Sequence, residues 1–197
     1  MSAIRTAFTH RITPLAFAGA ASLAAFSAAA EPAPTPETDF TAQWEITGTP
    51  VDSSKPTRMT YSSELKKMRI DMNMGPQSMT IVRDMTSGEA VMWSDMMPGM
   101  GMKVNAGEGF KLEGERTGRT DEVNGESCEI WTSHKMEICI TDDGIPVKSE
   151  GRGVTATLKS LDRSPQDPEQ FALPEGVEVM DMPSAMSGMM PKPQLPF

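Results

Sequence analysis

Strict alternation of apolar and polar residues is the feature that most narrows the folds open to this chain. Met68, Ile70, Met72 and Met74 alternate with Arg69, Asp71 and Asn73. In a strand this puts the apolar set on one side and the polar set on the other. Ala42, Trp44 and Ile46 do the same against Gln43, Glu45 and Thr47, and Val154, Ala156 and Leu158 against Thr155, Thr157 and Lys159. The stretches holding Met59 to Leu65, Met79 to Ile81, Ala90 to Trp93, Cys128 to Trp131 and Met136 to Ile140 read as further strands. Turn signals such as Thr86-Ser87-Gly88, Asp142-Asp143-Gly144 and Gly151-Arg152-Gly153 separate them. A helical period is absent from any long run after residue 30, and only 165–171 suits a short helix. The expected fold is mainly β, a curved antiparallel sheet of roughly eight short strands with at most one or two short helices. Residues 94–109, rich in Gly, Pro and Met, are expected to be less regular.

The first thirty residues carry a different message. Arg5 and Arg11 precede an apolar stretch, Leu15 to Phe26, and no acidic residue occurs before Glu31. Ala28 and Ala30 provide the small side chains a signal peptidase requires. The apolar stretch is short of the roughly 20 residues of a membrane span. Residues 1–30 therefore read as a cleaved signal peptide, leaving no transmembrane anchor and an exported chain. A Pro-rich lead (31–40) is expected to be extended and unpaired. The β-rich domain then spans 41–182, and 183–197, rich in Met and Pro, reads as a flexible tail.

Export bears on the two cysteines. In an oxidising compartment Cys128 and Cys139 are expected to pair. A facing arrangement on two strands would leave Thr132 to Lys135 as a four-residue loop and set the Cα atoms about 4.5 Å apart. Redox catalysis is not expected, because no CxxC at a helix start is present to acidify a thiol.

Charge and motif content exclude several function classes. The formal net charge is −9, and loss of Arg5 and Arg11 with the signal makes the remainder more acidic. Such a chain repels phosphate backbones, so nucleic acid is not an expected partner. His134 is the only histidine after residue 30 and falls in an expected hairpin loop, and no nucleophile-elbow motif surrounds any Ser. Gly99 and Gly101 lack the Lys-Ser/Thr of a phosphate loop. The expectation is a non-enzymatic protein without a cofactor.

Methionine is the chemical oddity: 18 residues, of which only Met1 lies in the signal. Met72 and Met74 share the phase of Ile70, so they belong to one apolar face. Flexible, polarizable thioethers make such a face adaptable to varied ligands. Trp44, Met68, Ile70, Met72, Met79, Ile81 and Trp93 are the candidate wall for an apolar small molecule, lipid or lipoprotein. Thioethers also suit Cu(I), and Met96, Met97, Met100 and Met102 form the alternative candidate, a copper site.

The stretches KKMRIDMNMG and MTIVRDMTSGEAVMW resemble strand pairs of the periplasmic lipoprotein-carrier (Lol-type) half-barrel superfamily. VNGESCEIW, MEICITDDGIPVKSEG and DPEQFALPEGVEVM are similar to segments of a family of uncharacterised exported proteins, a domain of unknown function. The resemblance implies a half-barrel whose apolar concave face could hold acyl chains, and it favours the periplasm.

Overall fold

The computed structural model describes residues 31–48, 55–105, 113–133 and 135–181. Thirteen strands occupy most of them: β1 (Glu31–Pro32), β2 (Phe40–Thr47), β3 (Thr57–Ser62), β4 (Lys67–Met74), β5 (Gln77–Asp84), β6 (Glu89–Ser94) and β7 (Met100–Asn105). They continue with β8 (Glu113–Val123), β9 (Glu126–Ser133), β10 (Met136–Ile140), β11 (Pro146–Gly151), β12 (Val154–Asp162) and β13 (Glu178–Asp181). They join in the order β1-β8-β9-β10-β11-β12-β2-β3-β4-β5-β6-β7-β13. The result is mainly β, one large, open, curved sheet consistent with a half-barrel. All pairings are antiparallel except β13, which runs parallel to β7. The strand count exceeds the expected eight because short, irregular-looking segments pair as well, β7 within 94–109 among them.

Turn chemistry accounts for the tight connections. Asn124 (φ 53°) and Gly125 (φ 82°) close β8 onto β9, and Arg152 (φ 52°) and Gly153 (φ 79°) close β11 onto β12. Two successive left-handed residues match the twist of hairpin strands. Gly144 has φ +80°, and a Cβ there would lie 2.2 Å from the Thr35 carbonyl oxygen, so only glycine fits beneath the incoming lead.

That lead is docked rather than unpaired. Glu31 and Pro32 face Gly114 and Glu113 of β8, Ala33 is buried against Trp131, Ile138 and Ile140, and the Glu37 amide donates to the Asp143 carbonyl. Burial of Ala33 and Pro36 explains why a proline-rich segment is held.

The main core gathers Phe40, Ala42, Trp44 and Ile46 of β2, Met59 and Tyr61 of β3, and Met68 and Ile70 of β4. Leu158 and Ala156 of β12 and Val147 of β11 extend it. An extra residue, Lys159, bulges from β12. It lets both Leu158 and Leu161 point to the core side, opposite Trp44 and Ala42 respectively. The only helical turn among the described residues is a 3-10 turn, Pro168–Phe171, shorter than the helix anticipated over 165–171. It lies against β4, where Arg69 donates to the Gln170 carbonyl at 2.7 Å and Phe171 is buried.

The disulfide forms as expected but not in the expected register. Cys128 and Cys139 are bonded, with Cα atoms 5.3 Å apart. Ile130, not Cys128, sits opposite Cys139, and Trp131 faces Ile138. Ser133 pairs with Met136, so the hairpin is two residues tighter than a facing disulfide would require. Lys135 adopts φ 70°, the left-handed conformation a short loop needs. The bond therefore crosses the β9–β10 pair diagonally.

Candidate functional site

The register from β2 to β13 sets one residue of each strand into a single transverse row. Ala42 faces Met59, Met59 faces Ile70, and Ile70 faces Ile81. Ile81 faces Met92, Met92 faces Met102, and Met102 faces Met180. Side chains directly opposite one another share a face, so all seven belong to one apolar front face. A second row beside it pairs Met72 with Met79. Met74 lies two residues beyond Met72, and Met100 two residues before Met102, so each shares its neighbour's face.

Exposure rises along this face. Met59 is 0% exposed and Ile81 3%, Met92 and Met102 are half-buried, and Met180 is 49% exposed. Met74 and Met100 are also open, and Met72 and Met79 half-buried. A hydrophobic core thus runs without interruption into a methionine-lined surface. Five adjacent strands, β4 to β7 with β13, make that strip roughly 19 Å wide at about 4.8 Å per strand spacing.

The back face explains how β13 is held. A Cβ on Gly101 would meet Val177 at 3.2 Å, Val91 at 3.3 Å and Val179 at 3.6 Å. The absent side chain lets these valines close behind β7, and the Glu178 amide donates to the Gly99 carbonyl at 2.9 Å. Gripped from behind, β13 presents Met180 at the front.

The residues anticipated from sequence divide into three groups. Trp44, Met68, Ile70 and Ile81 lie on the front face but are 1–3% exposed, so they form its buried floor. Met72 and Met79 lie on its accessible part. Trp93 is a correction: it faces Thr80 and points to the back. There the Arg69 guanidinium stands 6.0 Å from its ring and pairs with Asp71 at 2.8 Å. The four-residue apolar run Ala90 to Trp93 carries no alternation, so its phase could not be read. Of the anticipated copper set, Met100 and Met102 share the front face, whereas Met96 and Met97 sit in the turn between β6 and β7. Sequence reasoning misses Met92 and does not join Met180 to the sheet face. Met92 lacks a phase, and Met180 groups by spacing with Met182, which lies outside the described residues, as do His134 and 183–197.

Three other polar groupings, around Arg116, Asp143 and Asp39, pair internally. A cleft of about 340 Å³ is lined by Pro34, Arg116, Glu129, Trp131, Ile140, Thr141 and Asp142. Its Arg116 is paired with Glu129 and stands 5.5 Å from the Trp131 ring. Burial pushes the Asp143 carboxyl up, but hydrogen bonds from Arg163 and Thr141 outweigh it and hold the group below its usual range. Asp39 behaves likewise: burial opposes, and bonds from Ser63 and Gln166 prevail. Among the described residues no group of three or more His, Cys, Asp or Glu could hold a metal ion, and both cysteines are in the disulfide.

No protein-family profile matches this chain, and no curated protein matches it. Solved structures do resemble it. PNGF-II, in two crystal forms, gives a TM-score of 0.54 in each, at 10% and 11% identity. The matches cover 77% of this chain but 33% and 32% of PNGF-II, so the chain spans about a third of that protein. An uncharacterized conserved protein from Thermus thermophilus gives 0.54 at 10% identity, over 74% of this chain and 91% of its own. At such identities the likeness establishes the fold alone.

Proposed function

We propose that this chain is an exported, non-enzymatic protein of the periplasm. It binds an apolar ligand, an acyl chain or the lipidated end of a lipoprotein, on its methionine-lined front face. One observation carries the reading: Met72, Met79, Met92 and Met102, half-buried, and Met74, Met100 and Met180, open, share one face. Exposed apolar surface that continues a core marks an interaction site more often than it marks chance. Thioether side chains suit it, because they repack around chains of varied length. The binding surface is an open strip rather than a hollow, since Trp44, Met68, Ile70 and Ile81 are consumed by packing. An acyl chain laid on it gains about 0.8 kcal/mol per buried methylene.

The test is displacement of a fluorescent fatty acid from the purified protein. Met92→Leu with Met102→Leu keeps the surface apolar and should bind as the parent does. Met92→Lys with Met102→Lys should abolish binding. Equal binding by both variants would place the ligand elsewhere.

A further inference from the structure

The geometry points to a soft-metal site for Cu(I) formed by the thioethers of Met92, Met102 and Met180. Among the described residues this is the one place where three methionines are direct neighbours on three successive strands. Strands lie about 4.8 Å apart, so the outer two sulfurs need lean inward by only about one spacing to meet over Met102. Unbranched methionine, with three rotatable bonds, makes that movement cheaply. Neutral, soft thioethers favour Cu(I) over hard divalent ions, which demand oxygen ligands.

Two further placements suit a monovalent cation. Glu178 lies two residues before Met180 in β13, opposite Met100, and so shares the front face. Its carboxylate supplies negative charge beside a site whose ligands are all neutral. Lys103, between Met102 and Val104, points to the back and pairs with Asp181 at 3.4 Å, which keeps its charge off the front face. Packing explains Met59, which is wholly buried. It does not explain Met180, at 49% exposed, in the same row. The assignment keeps Met102 of the set read from sequence, adds Met92 and Met180 of the sheet, and leaves out Met96 and Met97 of the turn and Met100, which faces Glu178. No redox step is involved: copper is bound and released as Cu(I).

The site is tested on the mature chain with its disulfide intact. Cu(I) is supplied anaerobically as its acetonitrile complex, without thiol reductant, in competition with a Cu(I)-chelating dye. The expected result is one copper per chain, sulfur-only scatterers by X-ray absorption, and affinity unchanged between about pH 5 and 7, where imidazole would titrate. Met92→Leu, Met102→Leu and Met180→Leu together should lose that copper, and Met102→Leu alone most of the affinity. Met96→Leu with Met97→Leu should retain it. Copper retained by the triple variant, nitrogen or oxygen scatterers, or a parent that takes none from the dye would each overturn the assignment. A melting temperature of the triple variant close to the parent's shows that lost copper is not lost fold.

Discussion

Met92 of β6 stands directly opposite Met102 of β7, on the face that Met59 and Ile70 continue into the core. Floor and surface are therefore one row, and substitution along it should have graded effects. Met59→Ala, at a fully buried position, is expected to cost roughly 2–5 kcal/mol by chemical denaturation. Met180→Ala, at the open end, should change stability by about 0.5 kcal/mol or less while weakening ligand binding. Similar costs at both positions would mean that the row is not a continuum from core to surface.

Cys128 and Cys139 close a short loop across one hairpin. Replacing both by Ala should cost roughly 2–3 kcal/mol. Because the bond ties a hairpin remote in strand order from β6, β7 and β13, fatty-acid binding by the folded double variant should match the parent. A binding defect at equal folded fraction would show coupling between the two halves of the sheet.

Arg163 holds together three separate segments. It reaches Asp143 at 2.7 Å in the β10–β11 turn and Glu126 at 2.8 Å in β9, from just beyond β12. Being partly exposed, the cluster should contribute only about 1 kcal/mol. Arg163→Met is expected to lower the melting temperature at neutral pH by the corresponding few degrees. An unchanged melt would make the cluster energetically idle.

Acid sensitivity follows from three carboxylates held below their ordinary range. Burial works against Asp39 and Asp143, and hydrogen bonds overcome it; Asp84 is lowered first by the Ser87 amide. Each group binds a proton less readily folded than unfolded, so its stabilisation is complete above the unfolded value. It is lost as pH falls through the folded one, that is, below about pH 4. Unfolding monitored from pH 7 to 2.5 should show the loss in that range, and Arg163→Met should reduce its size. A loss centred near pH 6 would point to histidine instead.

Much of the sheet is legible in the sequence because alternation fixes both strand and face. Spacing alone assigns Met68, Ile70 and Met72 to one side, and they share it. Trp93 shows where that reasoning stops: four consecutive apolar residues have no phase, and only pairing with Thr80 sends the indole to the back. The disulfide partners are readable from composition, two cysteines in a chain expected to be exported. Their diagonal offset is not, since it depends on the left-handed Lys135 that tightens the loop. Parallel β13 is hidden because a four-residue strand carries little pattern, and its place depends on valines packing over Gly101. The row from Met92 to Met180 is a product of register between distant strands, which no local spacing encodes.

The most direct test of the central claim is native mass spectrometry of the protein purified without detergent from the cells that make it. The account predicts an acyl-bearing adduct on the parent and on Met92→Leu with Met102→Leu, and none on Met92→Lys with Met102→Lys. A bare parent mass, or an adduct that survives the lysine substitutions, would contradict it.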